Sequence, residues 1–293
     1  MTPLDLLAEI NLDDLVSSFG WTDRPRLSRL LHFLFLRPAR DFAADMLTFD
    51  SSVGTRGLPE ASRLLLKKYT SSLRVYGLEN IPASSALFLS NHPGMADTLA
   101  LFVALNRPDL KIIALDRPFL NALPNTEKRL FYVKDDSASR ITLVRQVASH
   151  LRTGGAALTF PAGHIEPDPD ERPGAAASLH DWTDSVGVFL RMSPETPVVP
   201  VLVRGVVRIK SARHPLVKLR KTQEERGRLA AAFQLLAHVV FKQKDVDVRV
   251  QIGRPIYARE LGSTETQVIH QAVLEGMRRL IEEEPHEEGT SML

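Results

Sequence analysis

The sequence contains no cysteine in its 293 residues. Disulfide bonds, thiolate nucleophiles and metal sites with cysteine ligands are therefore excluded, and the chain suits a reducing compartment. The first 15 residues also lack the basic and then apolar pattern of a secretory signal, because acidic residues appear early in MTPLDLLAEINLDDL. We therefore expect a cytoplasmic protein.

Long hydrophobic runs are missing as well. The longest strongly apolar run near the start is LLHFLFL, residues 30–36, and Arg29 and Arg37 bound it. A bilayer span needs about 20 apolar residues. We therefore expect no transmembrane segment in this region.

Basic residues surround this short apolar run, although the net charge of the chain is only +2: they are Arg24, Arg26, Arg29, Arg37 and Arg40. A basic amphipathic helix is typical of a segment that lies on an anionic bilayer surface, here the inner face of the membrane. The same pattern suits a helix that packs on its own domain and leaves its arginines in solvent. Both interpretations stay open.

The rest of the composition is ordinary for a globular protein, with 44% hydrophobic and 25% charged residues. Residues 1–70 carry helical spacing, as in Leu27, Leu30 and Leu34. From Leu73 onward, short β-branched and aromatic runs alternate with helical stretches. That alternation predicts an α/β fold, with a mixed, mostly parallel sheet flanked by helices and an N-terminal helical region.

Short apolar runs predict strands at residues 73–76, 86–89, 111–115, 130–133, 156–160, 198–203 and 246–252. Helical periodicity predicts helices at residues 97–105, 139–153, 182–192 and 223–242. Between them, residues 166–178 are rich in proline, glycine and acid. A loop of this length inside a compact domain is typical of a lid or a binding loop.

One short stretch, FLSNHPGMAD at residues 88–97, places a histidine at a strand-to-helix turn. Ser90 and Asn91 are good helix N-cap types, and Pro93 suits the first helical position. His92 is therefore predicted at the carboxyl end of a strand, the edge at which open α/β sheets bind ligands.

Asp97 follows His92 by five residues. On one continuous helix the two side chains would lie about 140° apart, so they meet only if the chain turns between them. Asp97 then accepts a hydrogen bond from one ring nitrogen and leaves the other nitrogen as a general base. On these residues alone, a chance pairing beside a plain helix cap is the alternative.

Two downstream stretches add to this pattern. GGAALTFPAGHIEP, residues 154–167, is a predicted strand that ends at Phe160 and Pro161 before a glycine turn, and TPVVPVLVRG, residues 196–205, is an apolar strand with an internal proline. Together with Asn91-His92 and Asp97, they resemble the motifs of the glycerolipid acyltransferase family. Those motifs are N-H-x-x-x-x-D, F-P-E-G-T-R and a proline-containing apolar strand.

The resemblance, over about residues 73–205, implies a reaction. A fatty acyl group would move from acyl-CoA or acyl carrier protein to a hydroxyl of glycerol phosphate or of a lysophospholipid, with His92 as base and Asp97 as its orienting carboxylate. It implies a lipid acceptor, an acyl thioester donor and a membrane surface as partners, and no metal or other cofactor. The implied division is an N-terminal helical region or membrane-surface anchor at 1–70, a catalytic domain at 71–280 and an acidic flexible tail at 281–293.

The third motif departs from the family pattern, since Ala162 stands in place of the glutamate and His164 and Ile165 stand in place of threonine and arginine. Glu166 is a candidate replacement for the missing carboxylate. The second motif, which leads to an acceptor-binding arginine, is blurred. Arg129 and Lys134 are its best candidate cations for a phosphate, with Arg140 as a weaker third. The predicted substrate-binding set is Asn91, Phe160, Pro161, Gly163, His164, Glu166, Arg129 and Lys134.

Other interpretations stay open or are disfavoured. The basic segment at 213–228 suits anionic headgroups or coenzyme A phosphates, and equally a solvated helix face. His164 beside acidic residues lacks the spacing of a metal site, and the chain lacks a nucleic-acid-binding module. The altered third motif keeps two alternatives in view, a catalytically weak lipid-binding adaptor of the same fold and a thioester or lipid hydrolase.

Overall fold

The computed structural model of the chain describes residues 1–134, 136–170, 174–207, 209–241, 244, 246–263, 265–285 and 288–293. Within those residues, one sheet contains the strands β1 (Ser72–Tyr76), β2 (Ala86–Ser90), β3 (Lys111–Leu115), β4 (Leu130–Val133), β5 (Ala156–Thr159), β6 (Val198–Arg204), β7 (Asp247–Ile252) and β8 (Thr290–Ser291).

The strand order in the sheet is β4-β3-β5-β2-β6-β7-β1-β8. The first five strands in that order are parallel to their neighbours, β6 and β7 are antiparallel, β7 and β1 are parallel, and β1 and β8 are antiparallel. The prediction of a mixed, mostly parallel sheet is confirmed.

Helices cover both faces of the sheet and form the N-terminal region. They are α1 (Pro3–Ser18), α2 (Pro25–Arg56), α3 (Leu58–Tyr69), α4 (Met95–Leu105), α5 (Pro118–Asn121), α6 (Pro124–Glu127), α7 (Ser137–Arg152), α8 (Ala175–Ser178), α9 (Ser185–Met192), α10 (Ile209–Ala212), α11 (Pro215–Lys218), α12 (Gln223–Phe241) and α13 (Thr266–Glu282).

The core lies in two layers, because successive side chains of a strand point to opposite faces of the sheet. In β2, Phe88 joins an apolar cluster with α4 and with the N-terminal helices. Leu87 and Leu89 join a second cluster on the other face, with side chains of α7, α9 and α13. All five residues of β2 are buried, as expected for a central strand covered on both faces.

The N-terminal helices are fastened to the sheet domain. Asp50 of α2 is buried and accepts hydrogen bonds from the backbone N–H groups of Asn125 and Thr126, at 3.1 and 2.7 Å, at the start of α6. A group of exposed apolar side chains lies on the first half of α2, and its members are Leu30, Phe33, Leu34 and Leu36. In the part of the chain that the structure describes, the helices are too short or too polar for any of them to cross a bilayer.

Several element boundaries differ from the sequence predictions, most of them by one or two residues. The helix predicted from residue 182 begins at Ser185, after a 3-10 turn at Leu179–Asp181. The helix predicted to end at Lys242 runs to Phe241, and Lys242 lies outside the described residues. Where the pattern predicted a flexible tail at 281–293, Thr290–Ser291 pairs with β1, and the Met292 N–H donates to the carbonyl of Leu73 at 3.0 Å.

Candidate active site

The candidate site lies at the carboxyl edge of the parallel strands, where β5, β2 and β6 end side by side. His92 follows β2, and Phe160 follows β5. The helix after His92 begins at Met95, two residues before the predicted helix at 97–105 and two residues after Pro93, with Gly94 as the residue before it. Asp97 explains this start, because its carboxylate accepts the N–H of Gly94 at 2.9 Å.

The turn brings the predicted pair together. Nδ1 of His92 lies 2.9 Å from Oδ2 of Asp97. Asp97 is fully buried, and its other oxygen accepts the hydroxyl of Thr98 at 2.9 Å. Since an ionised carboxylate only accepts hydrogen bonds, Nδ1 carries the imidazole proton and Nε2 holds the lone pair. The His92 side chain keeps 29% of its surface exposed, so a reactant can reach it.

The surroundings of His92 favour its protonated form. Burial lowers the pKa of His92, but the charge of Asp97, the hydrogen bond to it and the charge of Glu166 together raise it above its ordinary value, against a smaller opposing effect of Arg117. The imidazole is therefore a stronger base than an isolated histidine.

Phe160 covers one side of this base. Its ring centroid lies 4.7 Å from that of His92, with 35° between the planes. Pro161 is buried, and its carbonyl accepts the N–H of Thr183 at 3.2 Å. The third-motif strand thus ends directly against the turn that carries His92.

Residues 72–204 match the family model described as Acyltransferase. This segment is therefore similar to the acyltransferase family. The matched segment runs from β1 to the end of β6, so it contains the whole turn around His92. The family is named for the transfer of acyl groups, and this is the activity that the match over residues 72–204 indicates.

The chain is similar to the crystal structure of the 1-acyl-sn-glycerophosphate (LPA) acyltransferase PlsC from Thermotoga maritima, with 16% identity, 94% of this chain and 96% of that chain covered, and a TM-score of 0.47. No curated protein matches the chain.

The side chain of Asn91 forms hydrogen bonds with the protein backbone. Its side-chain NH2 donates to the carbonyl of Val203 and its side-chain oxygen accepts the N–H of Val203, both at 2.8 Å. Asn91 was predicted to bind substrate and to be a candidate helix cap. Its placement supports neither role, because both polar atoms of its amide are engaged between β2 and β6.

Glu166 is also turned inward, with 1% of its surface exposed. One carboxylate oxygen accepts the backbone N–H of His92 at 3.0 Å, and the other accepts the indole N–H of Trp182 at 2.8 Å. Burial raises the pKa of Glu166 to about 6, against the lowering effect of these hydrogen bonds. The predicted substrate contact of Glu166 is thus replaced by contacts within the protein.

The start of the 166–178 loop is held to the protein by buried hydrogen bonds, whereas the sequence pattern is typical of a lid or a binding loop. Asp168 is fully buried and accepts the backbone N–H groups of Gly205, Val206 and Val207, at 3.0, 2.6 and 3.0 Å. This carboxylate holds the turn after β6 next to the turn that carries His92, where Val206 lies against Gly94. Asp168 was not predicted, because the three N–H groups of residues 205–207 that it accepts are more than 30 residues away. Residues 171–173 of this loop lie outside the described residues.

The glycine turn of the third motif lies at the rim. Gly163 is exposed and adopts a φ of +70°, and its N–H donates to the carbonyl of Phe160 at 3.1 Å. His164 is half-buried, with Nε2 3.5 Å from a carboxylate oxygen of Asp181. Within the described residues, no group of three or more histidine, aspartate or glutamate side chains could hold a metal ion.

The predicted phosphate-binding cations do not gather at His92. Arg129 precedes β4, and its guanidinium donates to the carbonyl of Pro108 at 2.9 Å. The amino ends of parallel strands form the edge opposite to the carboxyl ends, so Arg129 lies on the wrong side of the sheet, and its prediction does not hold. Lys134 follows β4 at the correct edge, but β4 is three strands from β2, about 14 Å away. Arg140 lies on α7 and donates to the carbonyl of Lys134 at 3.4 Å.

Arg117 is the cation that the sequence analysis missed. It follows the carboxyl end of β3, two strands from β2, and its side chain is exposed. Its charge acts on His92 on one side and on Asp14 of α1 on the other. The charge of Arg117 is therefore felt both at α1 and at the turn that carries His92. The sequence signal that could have identified Arg117 is its position directly after a predicted strand, which it shares with His92.

Proposed function

We propose that this acyltransferase moves a fatty acyl group from an acyl thioester, acyl-CoA or acyl carrier protein, to a hydroxyl of a glycerol-phosphate or lysophospholipid acceptor. The observation that carries the proposal is the His92–Asp97 pair at 2.9 Å, at the carboxyl edge of an acyltransferase domain. The glycerolipid acceptor class is supported by the resemblance of the three sequence motifs.

In the proposed reaction, Nε2 of His92 takes the proton of the acceptor hydroxyl while its oxygen attacks the thioester carbonyl. Asp97 stabilises the imidazolium that forms. When the tetrahedral intermediate collapses, the carbon–sulfur bond breaks, and the imidazolium returns its proton to the departing thiolate. The products are an ester and a free thiol, and His92 is neutral again.

The charge that develops on the carbonyl oxygen needs hydrogen-bond donors. The N–H groups of Gly94 and Gly163 are already engaged, with Asp97 and with Phe160. The first turn of α4, which starts at Met95, has N–H groups without intrahelical partners and a positive helix end. We assign the oxyanion to this turn.

Arg117 is the proposed partner of the acceptor phosphate. Its side chain is exposed, its charge reaches His92, and a guanidinium pairs with phosphate through two parallel hydrogen bonds. The acceptor would then lie between α1 and the catalytic turn, with its hydroxyl at His92 and its phosphate at Arg117.

The first half of α2 is the proposed contact with the membrane. Phe33 is 81% exposed and Leu34 is 57% exposed, and arginines flank them on the same helix. An exposed apolar and basic surface fits an anionic bilayer. The basic segment 213–228 joins this region, since Arg220 donates to the carbonyl of Phe19 at the end of α1 and Leu219 beside it is 76% exposed.

Acyl-transfer assays test this function. The donors are acyl-CoA and acyl carrier protein, each with a labelled acyl group. Each donor is offered with glycerol 3-phosphate, with a panel of lysophospholipids or with water alone. The proposal predicts labelled ester that depends on the acceptor. Free fatty acid formed at the same rate without acceptor would instead identify a hydrolase. Tight lipid binding with neither product would identify an adaptor.

A further inference from the structure

Glu166 and His92 exchange two hydrogen bonds although 74 residues separate them in the sequence. The N–H of His92 donates to Oε2 of Glu166 at 3.0 Å, and the N–H of Glu166 donates to the carbonyl of His92 at 2.9 Å. Both backbone polar groups of His92 are thus held by one residue. The peptide units on either side of His92 cannot rotate without breaking one of these bonds.

The other oxygen of the Glu166 carboxylate is held equally firmly. Oε1 accepts the indole N–H of Trp182 at 2.8 Å and the hydroxyl of Ser178 at 3.2 Å. Trp182 is buried and belongs to the apolar cluster on the far face of the sheet from α4. The carboxylate therefore links the catalytic turn to a packed part of the core.

The function proposed above rests on His92 as the base, and on that basis we propose that Glu166 is its positioning residue. Glu166 fixes the turn that carries His92 and places a negative charge beside the imidazole. The charged groups that act on the His92 ring are then the carboxylates of Asp97 and Glu166 and the guanidinium of Arg117.

Burial of a carboxylate is unfavourable unless the group is paired or hydrogen-bonded, and the buried carboxylate of Glu166 accepts hydrogen bonds from His92, Trp182 and Ser178. In this loop, Ala162 occupies the position where the resembling family has a glutamate, and it offers no carboxylate. Glu166 is the carboxylate that the same loop presents to the His92 turn. The altered third motif would then position His92 through Glu166, a role separate from the choice of acceptor.

The test uses the variants Glu166→Gln, Glu166→Ala and Trp182→Phe of the full chain, with Glu275→Gln on the exposed side of α13 as a matched control. Two quantities are measured for each: the titration of the His92 imidazole by nitrogen NMR, assigned with His92→Ala, and the pH profile of acyl transfer. Thermal unfolding checks that each variant folds.

Glu166→Gln removes the charge and keeps the size of the side chain, although its NH2 group replaces one accepting oxygen. It should lower the pKa of His92 and move the acid limb of the rate profile to lower pH with it. Glu166→Ala releases the turn and should lower kcat roughly tenfold to hundredfold, with little change in the KM for the acceptor. Trp182→Phe keeps the charge, so it should lower kcat and leave the His92 titration in place. Glu275→Gln should match the wild type.

The proposal fails if folded Glu166→Gln and Glu166→Ala both keep the His92 titration and kcat of the wild type. If Glu166→Ala does not fold, Glu166→Gln decides. A wild type without any acyl transfer would contradict the proposed function, while the NMR titration would still decide whether Glu166 acts on His92.

Discussion

The side-chain amide of Asn91 pairs with the backbone of Val203 as a neighbouring strand would. Its NH2 group donates to the Val203 carbonyl and its oxygen accepts the Val203 N–H, each at 2.8 Å. Asn91 is the first residue after β2, and Val203 lies near the end of the neighbouring β6. The amide therefore continues the parallel ladder for one step past the end of β2, and the chain is free to turn only at His92.

Replacing Asn91 should distort this turn. Asn91→Ala leaves the buried N–H and carbonyl of Val203 without these partners, which costs about 2 to 3 kcal/mol of unfolding free energy. Asn91→Asp should be worse than Asn91→Ala, because it turns a carboxylate oxygen toward the Val203 carbonyl. Denaturant unfolding of the two variants measures this. Equal stability of Asn91→Ala and the wild type would contradict the role of the amide.

Arg117 and Arg129 make a matched pair of substitutions, since the two arginines lie at opposite edges of the sheet. Arg117→Ala should raise the KM for a phosphate-bearing acceptor roughly tenfold or more, the loss expected for a hydrogen bond between charged groups. It should also move the acid limb of the rate profile to higher pH, because a positive charge near His92 is removed. Arg129→Ala should change neither quantity. A raised KM in Arg129→Ala and an unchanged KM in Arg117→Ala would instead identify Arg129 as the partner of the phosphate.

The buried Glu166 should make stability depend on pH with a defined sign. Its pKa is raised from 4.5 to about 6 in the folded protein, so the folded state binds this proton more tightly than the unfolded chain. The resulting stabilisation is fully present below pH 4.5 and is lost as the pH rises through about 6, by about 2 kcal/mol. Relative to the wild type, Glu166→Gln should therefore gain about that much unfolding free energy between pH 4.5 and pH 7. A difference that is flat or falls over this range would contradict the assignment.

The exposed apolar side chains of α2 should govern binding to membranes. Phe33→Ser together with Leu34→Ser removes two side chains that would be buried in a bilayer, so partition into anionic vesicles should fall at least tenfold. Leu64→Ser, at an exposed leucine of α3, is the matched control. Sedimentation with vesicles of anionic and of neutral lipid measures the effect. If the double variant binds anionic vesicles as well as the wild type does, the membrane contact assigned to α2 is wrong.

The fold followed from local patterns because most strands carry a strong signal of their own. The runs at 111–115 and 130–133 are short and apolar between turns, and the observed bounds of β3 and β4 agree with them. The last strand escaped prediction, since β8 has two residues and exists only through its pairing with β1. Such a strand has no pattern to detect.

For the site, sequence reasoning placed His92 and Asp97 because their geometry depends on five consecutive residues and one turn. It misjudged Asn91 and Glu166 because their partners, Val203 and Trp182, come from other elements. The error at Arg129 was of another kind. An arginine that precedes a parallel strand lies at the amino edge, and this rule was available from the order of residues alone.

The most direct test of the central claim is acyl transfer from a labelled acyl thioester to a lysophospholipid, compared between the wild type and His92→Ala. Removal of a general base costs roughly a hundredfold to ten-thousandfold in rate. We predict a loss of that size in folded His92→Ala, with acceptor-dependent ester formation in the wild type. Equal rates of ester formation in the two proteins would contradict the assignment of His92 as the base.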